Sequence, residues 1–242
     1  MENILKILKF KDGKKADFNN RLFWNKRYET DPALGSGVGS RGECLAYKQA
    51  LLKDAVEQIH PRTVLDIGCG DMAVSSALPT EGYTGIDTSN VVIQKNKKAF
   101  PGRSFIWGDF LDLDLPPSEM VVCLDVLIHL DKKNLYREFV KKIVHQTTRF
   151  GIIAGFEENP KAKETMLQPV HTTMSAVPDN PHRVYPGCFF HETISKTLSA
   201  YGVTRFRKIG GYNKTIAIMF EAPISKSFFW AGLKTFLGNK NS

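Results

Sequence analysis

The feature that most constrains this chain is the run Val64-Leu65-Asp66-Ile67-Gly68-Cys69-Gly70-Asp71. A short apolar, β-branched stretch runs straight into a Gly-x-Gly turn. Glycine allows a tight turn and a close approach of backbone to ligand. In an open α/β sheet, ligands sit beyond the carboxyl ends of such strands. One Gly-x-Gly is a weak signal by itself, so its surroundings decide what it means.

Those surroundings alternate. Thr63–Ile67, Tyr83–Asp87, Ser104–Gly108, Met120–Asp125 and Phe150–Phe156 read as strands. Between them, Asp71 is expected to cap a helix to about Leu78, Thr88 or Ser89 one to about Phe100, and Asp131 one to about Gln146. Upstream, residues 43–60 read as a helix with Leu45, Leu51, Leu52, Val56 and Ile59 broadly on one side. Strands alternating with helices imply a doubly wound, mostly parallel sheet covered on both faces. Val203–Ile209 and Thr215–Glu221, separated by a GGYN turn, read as a hairpin, which makes the last strand antiparallel. Phe189–Tyr201 reads as the helix before it, ended by Gly202. We therefore divide the chain into an N-terminal extension with a Gly/Ser loop (1–42), an α/β domain (43–222) with a lid or insertion at 157–188, and a basic aromatic tail (223–242).

Polar residues at the strand ends suggest an adenosine-containing ligand. Asp87 ends the second strand, where a carboxylate can accept both ribose hydroxyl hydrogens. Asp109 and Phe110 follow the third, suited to an adenine edge and face. Gly68-x-Gly70-x-x-Ala73 also satisfies the alanine form of the dinucleotide pattern. Asp66 argues against a dinucleotide, because a carboxylate at the glycine turn repels a pyrophosphate and suits an ammonium group. Asp71 points the same way.

The stretches VLDIGCGD, GIDTS, FIWGDF and VVCLDVLIHL resemble successive motifs of class I S-adenosylmethionine-dependent methyltransferases. The resemblance implies a Rossmann-like sheet of seven strands, with S-adenosylmethionine as cofactor and S-adenosylhomocysteine as product. It implies that Asp66, Gly68, Cys69 and Gly70 line the methionine part and that Asp87, with Thr88 beside it, binds ribose. Asp109 and Phe110 would meet adenine, while Leu124 and Asp125 would face the sulfonium. Met72 departs from the pattern, standing where the family often has a third glycine. The upstream FWNKRYETDPALGSGVGSRGE resembles a cofactor-covering segment of some small-molecule and sugar methyltransferases. That implies a substrate-side role for Tyr28 and a methionine-carboxylate contact for Arg41.

Methyl transfer to a hydroxyl or ammonium needs a base. His129, in Asp125-x-x-x-His129, is the first candidate, because histidine titrates near neutral pH. His182 is the second, with Arg183 and Tyr185 as substrate contacts beside it. Asp125 and His129 are too few ligands for a metal, and none is expected.

The net charge of +8 fits anionic partners or solubility alone. No nucleic-acid partner is expected. There is no RNA-binding appendage or zinc module, and CLDVLIHL stands where base N-methylation would have an Asn/Asp-Pro-Pro-Tyr motif. That favours an oxygen on a small molecule or glycan. Two alternatives stay open at this level: a nicotinamide-dependent oxidoreductase or epimerase, and a non-catalytic module of the same fold. The four cysteines are scattered, with no C-x-x-C pair, which favours a reduced, cytoplasmic setting. No signal peptide or membrane span is read. The basic, apolar termini either pack on protein or make peripheral contact with an anionic membrane.

Overall fold

The computed structural model describes residues 19–159, 175–177, 180–185, 188–212 and 214–223. Nine strands are described: β1 Val64–Ile67, β2 Tyr83–Asp87, β3 Ser104–Trp107, β4 Ser118–Cys123, β5 Thr147–Gly155, β6 Ser175–Val177, β7 Asn180–Tyr185, β8 Phe206–Tyr212 and β9 Thr215–Glu221. Five α-helices accompany them: α1 Asn20–Thr30, α2 Gly42–Ile59, α3 Asn90–Ala99, α4 Lys133–Gln146 and α5 Ile194–Ala200. The main sheet has seven strands in the order β3-β2-β1-β4-β5-β9-β8. β1 to β5 pair in parallel, and β9 runs antiparallel to both β5 and β8. This is the seven-stranded, mostly parallel, doubly wound sheet expected from the sequence, with its last strand antiparallel.

Strand polarity follows from burial on both faces. In β4 every side chain is buried, with Val121 and Cys123 on one face and Met120 and Val122 on the other. Tyr136, Phe139, Val140 and Ile143 of α4 and Ile194 and Leu198 of α5 cover the first face. Leu51, Leu52, Ala55 and Ile59 of α2 and Val92 and Ile93 of α3 cover the second. Each such Val, Leu, Ile, Phe or Met side chain, withdrawn from water, contributes about 1.5–3 kcal/mol. α3 begins where Ser89 accepts the Val92 amide, as its sequence implies.

Two expectations are corrected. The helix expected from Asp71 to about Leu78 is only a 3₁₀ turn at Ser75–Ala77. Met72 sits at φ +64°, which an α-helix cannot contain, and the Asp71 carboxylate is held by the Gly/Ser loop. α4 is capped by Lys132 without a side-chain bond, not by Asp131. Within the 157–188 insertion, β6 and β7 form a small antiparallel hairpin. Both chain termini lie outside the described residues, so the readings made of them do as well. Among the described residues, no helix is long and apolar enough to cross a membrane.

Candidate cofactor and acceptor site

A cleft opens beyond the carboxyl ends of β1 to β4. Its walls are the glycine turn, Asp87 and Thr88, the Gly108–Phe110 segment, and the loop from Leu124 to Leu130. Side chains of α1, the Gly/Ser loop and α2 close it from the other side.

The glycine turn is fixed by neighbouring backbone. Gly68 (φ +75°) and Gly70 (φ +54°) occupy left-handed conformations that favour glycine. The Gly68 and Cys69 amides donate to the Ile86 carbonyl at 2.8 and 2.9 Å. The Gly70 amide donates to Asp87 Oδ2 at 3.0 Å, and the Ser89 amide to Asp87 Oδ1 at 2.8 Å. Each Asp87 oxygen thus spends one lone pair on the backbone and keeps another for a ligand. Burial pushes the Asp87 carboxyl up to about 6, and the nearby Asp66 and Asp71 charges add to the shift. Asp66 is 3% exposed and accepts the Tyr83 hydroxyl at 2.7 Å; burial raises its carboxyl too.

The Gly/Ser loop folds onto this turn. Ser36 Oγ accepts the Asp71 amide at 3.0 Å and donates to Asp71 Oδ1 at 2.9 Å. With that proton spent, the Tyr28 hydroxyl, 3.0 Å away, is the donor of the pair it forms with Ser36. Tyr28 therefore stands over the glycine turn, next to Gly70. Arg41 pairs with Asp71 and donates to the Ala33 and Ser40 carbonyls. In this structure Arg41, expected at the methionine carboxylate, is held by Asp71 and two loop carbonyls and does not line the cleft.

At the adenine end, Asp109 Oδ1 accepts the Leu111 amide at 3.0 Å, and Phe110 packs on Phe139 with ring centroids 4.9 Å apart. The Thr88 carbonyl accepts the Trp107 indole N–H at 3.1 Å. At the opposite end, Leu124, Asp125 and His129 share the cleft wall. His129 ends a 3₁₀ turn, Leu127–His129, and its ring meets Trp24 edge-on at 5.7 Å. The side chains of His182, Arg183 and Tyr185 lie outside the described residues.

Lys48, Ser36, Trp24 and Asn20 also line the cleft and were not read from the sequence. Lys48 had a signal: it lies on the stripe that carries Leu51, Leu52, Ala55 and Ile59, a charged residue in a buried register.

The chain is similar to known proteins in domain sequence and in fold. Residues 65–151 match the methyltransferase domain family. The fold is similar to magnesium protoporphyrin IX methyltransferase from Synechocystis PCC 6803 with bound S-adenosylhomocysteine: TM-score 0.56, 15% identity, 84% of this chain and 99% of that one. It is similar to the N-methyltransferase NodS from Bradyrhizobium japonicum WM9 in complex with the same product, at TM-score 0.58, 12% identity, 83% and 98%. Human N-acetylserotonin methyltransferase in complex with S-adenosylmethionine gives 0.55, 16% identity, 75% and 53%. No curated protein matches the chain by sequence.

Proposed function

We propose that this chain, an S-adenosylmethionine-dependent methyltransferase of class I by its domain and its fold, methylates an oxygen of a small molecule or glycan. The observation that carries the cofactor reading is Asp87. Its two oxygens are aimed by Gly70 and Ser89, and each retains a lone pair for a ribose hydroxyl hydrogen. Asp66, buried beside the turn with the Ser75 and Tyr83 hydroxyls as partners, supplies the acidic character that suits the donor's ammonium group and repels a pyrophosphate. These residues fit the cofactor.

Bound there, S-adenosylmethionine supplies a methyl group already activated on a sulfonium sulfur. The protein's task is alignment and exclusion of water. Asp87 and the glycine turn hold the adenosine and methionine parts. Tyr28 and Ser36 cover the turn. His129, at the acceptor end of the same wall, takes the proton from an attacking hydroxyl. Oxygen is preferred because the end of β4 lacks an amide-and-proline motif for holding a base amine.

Isothermal titration with S-adenosylmethionine, S-adenosylhomocysteine and NAD on wild type and Asp87→Ala tests the cofactor reading. Saturable binding of the first two, weakened at least tenfold by the substitution, is expected; binding of NAD alone overturns it. A panel of hydroxylated and amino acceptors, read by product formation, then tests the choice of oxygen. For the basic termini we propose contact with an anionic membrane, and flotation with anionic liposomes of the full chain against one cut after Ile224 decides it.

A further inference from the structure

Lys48 is only 1% exposed. Removing an ammonium from water costs several kcal/mol unless it is paired and hydrogen-bonded. Lys48 donates to the Gly39 carbonyl and to Asp125 Oδ2, and its Nζ lies 4.4 Å from the centroid of the Tyr212 ring. Asp125 answers with an unusual backbone, φ +60°, uncommon for a residue with a side chain. Its second oxygen, Oδ1, is buried without a partner at full hydrogen-bond geometry, and the Tyr212 hydroxyl, buried likewise, is the neighbouring group that interacts with Asp125.

Both members of this pair belong to the cleft wall. The Asp125 segment stands close to the glycine turn: a Cβ on Gly68 would run into Val126, the residue after Asp125. The methyl donor and its product differ in this region by one methyl and one positive charge on sulfur. A charge pair in the wall therefore acts on the two ligands unequally whenever one member outweighs the other. We propose that the Lys48–Asp125 pair sets the cleft's preference between donor and product, Asp125 attracting the sulfonium cation and Lys48 offsetting that attraction. The offset has a catalytic use. A carboxylate alone would stabilise the charged donor more than the transition state, in which that charge is dispersing, and such ground-state binding does not raise turnover. Lys48 is in this sense a positioning and charge-balancing residue.

The inference rests on S-adenosylmethionine being the donor. Its test needs no acceptor. The dissociation constants of S-adenosylmethionine and S-adenosylhomocysteine are measured by titration on wild type, Lys48→Met, Asp125→Asn and the double variant. Lys48→Met leaves a carboxylate uncompensated and should shift the ratio toward the donor by about tenfold; Asp125→Asn leaves an ammonium and should shift it toward the product by a similar factor. The double variant should return close to the wild-type ratio. Should Lys48→Met fail to fold, Asp125→Asn still carries a signed shift, and Lys48→Arg, which keeps the charge, should keep the wild-type ratio. Ratios that stay fixed, or move the same way in both single variants, overturn the inference while leaving the donor reading intact. Wild type that binds neither ligand overturns the donor reading and the inference with it.

Discussion

The carboxylate of Asp87 accepts the backbone amide of Gly70 at 3.0 Å, so the end of β2 and the turn after β1 form one hydrogen-bonded unit. The residue that would hold the ribose also shapes the loop that would hold the methionine part.

That link carries a pH dependence. The Asp87 carboxyl is pushed up to about 6 by burial. Ribose hydroxyls need its ionised form as acceptor. Affinity for S-adenosylhomocysteine should therefore rise as pH climbs through 6 and should be about tenfold weaker at pH 5 than at pH 7.5. Stability of the unliganded fold runs the other way. A carboxyl raised above its unfolded value contributes most below about pH 4, and that contribution is lost as pH rises through 6. Titration calorimetry across pH checks the first trend; Asp87→Ala should flatten it.

Gly68→Ala should destabilise the protein by about 1–3 kcal/mol, because alanine would be strained at φ +75°. The new methyl would also meet Val126 Cγ2 at 2.3 Å and disturb the loop that carries Asp125. Thermal melts check the first effect and cofactor titration the second.

Arg41→Ala should cost about 1 kcal/mol or less in stability, since the Arg41–Asp71 pair is partly exposed at 31% and 22%. Ligand binding should suffer more, as Ser36 and Tyr28 lose the anchor that keeps their loop on the turn. S-adenosylmethionine and methylthioadenosine, which lacks the amino-acid part, should weaken together by several-fold. Weakening of the first alone would show Arg41 released from Asp71 to bind the ligand carboxylate.

Glu192 ties the segment before α5 to α4 through a two-bond contact with Arg137, 2.7 Å on each side. The Arg137 hydrogen bonds hold the Glu192 carboxyl down at about 2. A depressed carboxyl contributes stability above its unfolded value, near 4, and loses it as pH falls toward 2. Glu192→Gln should lower the melting temperature at pH 7 and change it little at pH 2.

Much of the lining of the candidate site was legible because it lies where local pattern and tertiary placement coincide. Gly68 and Gly70 sit on a turn that any reader of strand–glycine–helix patterns would find, and Asp87 ends a strand whose limits are those of the β-rich run. The segment after Asp71 was misread because its helix-like composition is overridden from a distance. Ser36 and Arg41, 35 and 30 residues upstream, claim the carboxylate that would have capped a helix. Lys48 was missed for a related reason. A lysine amid leucines reads as the wet side of a helix, and it is the Gly39 carbonyl, the Tyr212 ring and Asp125, 77 residues away, that make the dry side tolerable.

The cover of the cleft has a consequence for the order in which the molecule is assembled. Ser36 waits for Asp71, 35 residues later; Asn25 for Ser89, 64 later; Asn20 for the carbonyl of His129, 109 later. Such distant contacts are slow to form because the intervening chain must first be brought together. On the ribosome, the part of the site made first is thus the part fastened last, onto a sheet that must already exist. A chain begun at Gly42 would keep all seven strands of the main sheet and lose Tyr28, Ser36 and Arg41 together, a floor without its roof.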